Sequence, residues 1–308
     1  MKRFNLQLFA EENYTKTPDL EPAISIDLAT RFVDNINELT ELLGITQMES
    51  MSAGTNVKIY KVTQENKPEQ VDEGEIIPLT KVNRKLVRTI ELKLMKYRKK
   101  TSAEAIQRSG REVAVNLTDN EMEKSIRKEI KQDIFGVLAE GEGTATGTTL
   151  QKALAAAWAE LQKYYNDMDA TPIYFVSSED VADYLGETVV TTQTAFGMSY
   201  IENFLGLGRT IISPNVEKGK VIATAQENMR GVYAPASGGN VSDTLGLTSD
   251  ETGLIGIRHS VDDATAGFST LMMSGVKFFP EFLDGVIVST IGGGDGGNGD
   301  GGNGDQGN

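Results

Sequence analysis

The sequence predicts an α+β protein built around one extended hairpin and one long helix. Three observations carry that reading. Two stretches between residues 55 and 100 alternate apolar and polar side chains on either side of a turn-rich tip holding Pro68 and Gly74. Met122, Ile126, Ile130 and Ile134 recur every fourth residue, as one stripe of a helix does. Beyond residue 150, short apolar runs alternate with capped helical segments, the pattern of an α/β region.

A chain of 308 residues has room for one large domain or two ordinary ones, and 39% apolar with 24% charged residues supports a core. The net charge of −14 argues against a nucleic-acid-binding surface, which needs clustered Lys and Arg, and suits a protein kept soluble at high concentration. Cysteine is absent, which excludes disulfides, thiolate zinc sites and cysteine nucleophiles. The start Met1-Lys2-Arg3 is basic but leads into no apolar run, so no signal peptide is expected. No stretch approaches the ~20 apolar residues that span a bilayer, and no membrane partner is expected.

In chain order, a polar arm of about twenty residues with Pro18 and Pro22 precedes a helix expected over 25–43. Leu28, Phe32, Ile36, Leu39 and Leu43 share one face of it, and Gly44 is its stop. The strand 55–63 (Val57, Ile59, Val62) and a second run from Val82 to Tyr97 (Leu86, Ile90, Leu92, Leu94) then form the hairpin. Between Asn56 and Lys100 there are 12 Lys and Arg against 6 Asp and Glu, so a basic ribbon sits on an acidic remainder. Lys58, Lys61, Arg84, Lys85, Arg88, Lys96, Arg98, Lys99 and Lys100 are therefore candidates for contacts with a neighbouring copy of complementary charge. The same charges would equally serve a solvated ribbon whose lysines keep its edges from pairing.

Thr118 and Glu121 match a capping box at the start of the long helix, which continues through Val137 and Leu138. A flexible segment, 141–149, leads to a helix from Leu150 to Tyr165 with Leu154, Trp158, Leu161 and Tyr165 on one side, Trp158 being assigned to the core. Ile173–Val176 is a buried strand, and Ser178 is read as the cap of a helix ending at Gly186. Strands are expected at 210–213, 221–225 and 231–233, a surface excursion over 235–252, a strand pair at 254–259 and 269–279, and a last strand at 285–291. Residues 292–308 hold ten glycines and no apolar side chain, which predicts disorder.

No catalytic motif emerges. The glycine-rich 141–149 lacks the lysine of a phosphate-binding loop and follows a helix instead of a strand. The Gly-Gly-Asn-Gly-Asp repeat lacks the large apolar residue of calcium-binding β-rolls. His259, the only histidine, is read as a surface or packing residue at a strand end near Asp262 and Asp263, with no nucleophile elbow to serve it. One His and no Cys leave no metal site of the usual kind, and no cofactor is expected.

The order of parts resembles the major capsid proteins of tailed bacteriophages, the Hong Kong 97 fold shared with encapsulins. Phe4-Asn-Leu-Gln-Leu-Phe-Ala10 is similar to the start of many phage capsid proteins from Gram-positive hosts. Thr210-Ile-Ile-Ser-Pro-Asn-Val216 with Gly219–Asn228 resembles the central strands of the family's axial domain, and Lys277–Val286 its terminal peripheral segment. The resemblance covers residues 1–291. It implies an N-terminal arm over 1–54, an extended loop over 55–101 and a peripheral domain with its spine helix over 102–145. An axial domain over 146–252, a return to the peripheral domain over 253–291 and a tail over 292–308 follow. It implies no enzyme but a late structural protein whose pentamers and hexamers form an icosahedral shell, in the virion and, during assembly, in the host cytoplasm. The implied partners are a separate scaffolding protein, since the chain leaves no room for a fused one, a portal, and double-stranded DNA enclosed without sequence-specific binding. Lys58, Lys61, Lys67, Lys81 and Lys85 match the loop lysines that some members crosslink, but no motif selects one and crosslinking is not expected. An encapsulin-like compartment is the alternative, and a soluble acidic hydrolase a more remote one.

Overall fold

The computed structural model describes residues 17–292 except 66–70, 73–75, 77–78, 80, 167–168, 187–190 and 238–239, and describes no side chain for 17–26, 62–64 and 240. The outer arm, most of the hairpin tip with Lys67, and the glycine tail after Gly292 lie outside the described residues. In order come α1 (Thr17–Leu43), β1 (Met48–Ser50), β2 (Asn56–Glu65), β3 (Lys81–Glu91), β4 (Met95–Ser102), α2 (Ala103–Arg111), a π-helical turn (Glu112–Leu117) and α3 (Thr118–Leu138). They are followed by β5 (Gly143–Gly147), α4 (Leu150–Tyr164), β6 (Pro172–Ser177), α5 (Ser178–Leu185), β7 (Gln193–Ala195), β8 (Met198–Phe204), β9 (Gly208–Ser213) and β10 (Lys220–Ala225). The chain ends on β11 (Met229–Tyr233), α6 (Asn240–Leu245), β12 (Ile255–Asp262), β13 (Gly267–Ser274), β14 (Val276–Pro280) and β15 (Ile287–Ile291).

A seven-stranded mixed sheet, ordered β5-β15-β10-β6-β9-β8-β7, is the centre of the molecule. Its inner strands β10, β6 and β9 read as near-continuous apolar runs because both faces are covered. Ile173, Phe175, Ile211 and Ile222 point to one side, into a cluster with Leu28, Phe32, Ile36 and Leu39 of α1 and Ile126, Ile130, Ile134 and Phe135 of α3. Phe135 meets Phe175 edge-on at 5.6 Å. Tyr174, Val176, Ile212 and Val221 point the other way, onto Leu150, Ala153, Leu154, Ala157 and Leu161 of α4.

The helix stripes expected on α1 and α3 are the buried ones. Gly44, with φ +73°, ends α1, and Ile45 N–H donates to Thr40 O at 2.8 Å. Arg209 Nη1 of β9 closes the same helix end by donating to the carbonyls of Glu41 (2.8 Å) and Leu42 (3.1 Å). The helix begins earlier than expected, at Thr17, with Pro18 in the first turn, where its missing N–H has no intrahelical partner to lose.

Other elements depart from the sequence expectation. Thr118 caps nothing: residue 117 is already helical, because α2 and the π-turn run into α3. Thr118 Oγ1 instead donates back to the carbonyls of Ala114 and Val115, both at 2.9 Å. The segment 141–149 contains a strand, β5, that pairs parallel with β15. Gly143 and Gly147 permit this, since a Cβ there would lie 2.2 Å from Ile287 Cδ1 and from Ala153 N respectively. Trp158 is 39% exposed instead of core, because Ala153 and Ala157 seat α4 on the sheet and turn the indole to the flank. Ser177, not Ser178, caps α5, its Oγ accepting from Glu179 N–H at 3.2 Å. The excursion at 235–252 carries α6 and a bridge from Thr248 to Ile257. The strand pair is β12 with β13, while β14 leaves them to pair with β11.

Candidate inter-subunit surface

β2 and β3 pair antiparallel from Asn56–Glu91 outward to Glu65–Lys81, so a long two-stranded ribbon leaves the body as the alternation predicted. The ribbon is shorter than the basic stretch. The second run breaks at 92–94, where Leu92 is buried against Val137, Val232 and Phe279. β4 then pairs with β13. Lys96, Arg98, Lys99 and Lys100 therefore stand on a body sheet, and the hairpin proper keeps Lys58, Lys61, Arg84, Lys85 and Arg88.

A bulge sorts those cations by face. Ile59 opposes Arg88 but Tyr60 opposes Leu86, so Val87 is an extra residue and the alternation resets there. Ile59, Lys61, Lys85, Arg88 and Ile90 share one face by this register, and Lys58, Tyr60, Val82, Arg84 and Leu86 the other. The first face holds the ribbon's base to its own body. Ile59 and Ile90 join the cluster with Leu92, Val137 and Phe279. Lys61 Nζ donates to Glu142 Oε2 at 2.9 Å and lies 3.4 Å from Asp284 Oδ2, while Arg88 pairs with Glu140. The Glu142 hydrogen bond raises the Lys61 ammonium above the usual lysine value, burial opposes it, and Asp284 adds to the rise. That partnership also offsets the like charge of Lys85 directly across the ladder.

The second face is open. Val82 and Leu86 are exposed, and the Arg84 guanidinium lies 3.8 Å from the centre of the Tyr60 ring. Among the described residues Lys58, Lys85 and Lys96 have no ion pair or side-chain hydrogen bond. The candidate cations thus divide into two groups. Lys61 and Arg88 act within the chain, as do Arg98, donating to Ser269 Oγ at 3.3 Å, and Lys100, paired with Asp262. Lys58, Arg84, Lys85 and Lys96 remain exposed, Lys58 and Arg84 beside a groove shared with Glu49, Arg230 and Glu281 of the body. Sequence reasoning missed the apolar content of the open face, because Val82 and Leu86 had been counted only as strand periodicity.

Lys99 belongs to a buried network. Its Nζ lies 2.7 Å from Asp119 Oδ1 and donates to Val115 O at 2.7 Å. Asp119 Oδ2 meets His259 Nε2 at 2.8 Å, and the Asp119 and His259 side chains are each 2% exposed. Burial pushes the Asp119 carboxyl upward, but hydrogen bonds from His259 and Lys99, with their attraction, outweigh it and hold the group below the usual carboxylate value. His259 is therefore an internal residue of β12, not one at a strand end, and its carboxylate comes from α3 instead of Asp262 or Asp263. The network ties β4, α3 and β12 together.

Two substitutions test the clamp at the ribbon's base. Lys61→Met and Arg88→Met should each cost about 1 kcal/mol or less, since both pairs are partly exposed. Each should nevertheless speed amide exchange through β2 and β3, as read by hydrogen–deuterium exchange. The Lys61 contribution is fully present below its unfolded value of about 10.4 and is lost as pH rises through the higher folded value.

In overall structure the chain is similar to the capsid of the empty GTA particle, with a TM-score of 0.53 and 11% identity over 79% of this chain and 87% of that one. The capsid of cyanophage P-SCSP1u gives 0.53 and 9% identity over 80% and 86%. The holo-SrpI encapsulin from Synechococcus elongatus PCC 7942 gives 0.51 and 12% over 81% and 86%. No protein-family model matches the chain, and no curated protein matches it in sequence. The fold is the Hong Kong 97 capsid fold.

Proposed function

We propose that this protein is the major capsid protein of a tailed phage, many copies of which close into an icosahedral shell around double-stranded DNA. The observation that carries this reading is the ribbon with one face clamped to its own body and the other open, on a fold whose solved relatives are shell subunits. An isolated two-stranded ribbon is only marginally stable, so its open face calls for a neighbour. The net charge of the whole chain is −14 although the segment from Asn56 to Lys100 is basic, so a neighbouring copy offers the complementary sign. Lys58 and Arg84 on the open face, together with the exposed Lys85 on the opposite face, are the contacts assigned to that junction, with Lys96 beside its base. In this scheme α3 is the spine helix, the sheet region after residue 146 is the axial domain, and the strands after Gly253 complete the peripheral domain. A separate scaffolding protein and a portal complete the assembly in the host cytoplasm. The acidic wall holds the DNA without gripping it.

The similarity to an encapsulin, close to that of the phage capsids, supports a second reading, a compartment for protein cargo. The two differ in contents, so nuclease-resistant DNA in purified particles decides for the capsid.

Salt tests the junction. Raising ionic strength from about 0.1 to 1 M shortens the screening length from about 10 to 3 Å. The assembled fraction in sedimentation velocity should fall accordingly. A fraction unchanged by salt would contradict a charge-directed junction.

A further inference from the structure

We propose that the trough between α1 and the start of α3 is the seat of this chain's own residues 4–9, folded back from the beginning of α1. The two helices run side by side in the same direction without packing closely there. Polar side chains span the gap: Arg31 Nη2 donates to Asn120 Oδ1 at 3.0 Å, Asn35 Nδ2 to Glu123 Oε1 at 3.0 Å, and Arg127 Nη1 to Asn35 Oδ1 at 2.9 Å. The open space above them is about 760 Å³. One wall is apolar and unpartnered: Val113 and Leu117 of the π-turn line the trough yet are 49% and 53% exposed. Two large aliphatic side chains beside a groove of this size call for a cover.

The sequence next to α1 supplies one. Phe4, Leu6 and Leu8 alternate with Asn5 and Gln7, so in an extended chain all three apolar groups face one way. Lys2 and Arg3 precede them, and of the acids lining the trough Asp34 has no ion pair among the described residues, whereas Glu121 is held by Lys124 at 2.6 Å. The reach is sufficient. From Phe9 to Thr17 the chain can extend about 27 Å, while α1 rises only about 21 Å from Thr17 to Arg31. A tether this short gives the segment a local concentration in the millimolar range, ahead of the same segment from a second copy in dilute solution.

The absence of cysteine makes the test direct. The full chain carrying Leu6→Cys with Leu117→Cys is oxidised in dilute solution and run on a non-reducing gel. Leu6→Cys with Val113→Cys serves as an independent second pair. Leu6→Cys with Leu185→Cys is the control, since Leu185 is exposed at the end of α5, whose Val181 packs with α4 on the opposite face of the central sheet. The expected result is an intrachain disulfide in most molecules of both trough pairs, at least tenfold above the control. A covalent dimer would show that a second copy fills the trough and would overturn the assignment. So would crosslinking no higher than the control in both pairs. The disulfide is scored on unassembled chains, so its failure is distinguishable from a failure to form shells.

Discussion

Replacing Asp119 by alanine should destabilise the protein by about 3–5 kcal/mol, because it leaves a lysine and a histidine facing each other without their shared anion. The carboxylate is buried, and its two partners come from strands far away in the sequence, so no local rearrangement can replace it. In a chain of this size the loss corresponds to a fall of roughly 10 °C in melting temperature. The pH dependence has a definite sign. The folded carboxyl sits below its unfolded value of about 3.9, so its contribution is fully present above that pH and is lost as pH falls through the folded value. The gap between wild type and Asp119→Ala should therefore be widest near neutrality and narrow below about pH 4. Lys99→Met combined with Asp119→Ala should cost less than the two single losses added together, since each single change strands the other's partner. A melting temperature within about 2 °C of wild type for Asp119→Ala would remove the network from the account.

The second large effect concerns assembly. Lys58→Glu, Arg84→Glu and Lys85→Glu in one chain place three anions on the ribbon, opposite an acidic neighbour. Like-charge juxtaposition at a junction costs several kcal/mol, so the concentration needed for assembly should rise at least 100-fold. Stability of the isolated subunit should change little, because Lys58 and Lys85 have no partner among the described residues and Arg84 contributes only its stacking on Tyr60. Light scattering across a concentration series reads the first effect and thermal unfolding the second. A triple variant that assembles at the wild-type concentration would dismiss these residues as the junction.

What the sequence revealed and what it concealed have separate physical reasons. The stripes of α1 and α3 and the apolar runs of β6, β9 and β10 were legible because burial imposes a period, or a lack of one, that composition displays. The ribbon was legible for the same reason, but its end was not. Leu92 and Leu94 continue the period-two pattern of Leu86 and Ile90 across the break, so periodicity has no mark for a strand changing sheets. β7 and β8 were missed because the two-residue turn joining them pairs Gly197 with a phenylalanine instead of a second turn former. Phe196 holds φ +51° ahead of Gly197 at +66°, its N–H donating to Glu38 Oε2 at 2.9 Å and its ring buried. Tertiary packing, not local preference, selects phenylalanine there. The Thr118–Glu121 pattern failed because a preceding helix removed the free helix start that a capping box needs. The Lys99–Asp119–His259 network could not be read at all, since its members are separated by 20 and 140 residues and only the fold unites them.

Electron microscopy of the purified, concentrated protein, with and without a candidate scaffolding protein, tests the central claim most directly. Closed icosahedral shells or rings of five and six subunits, lost in the Lys58, Arg84 and Lys85 triple variant, are the result expected. A monodisperse monomer under every condition, indifferent to those three substitutions, would contradict the claim that this chain builds a shell through its ribbon.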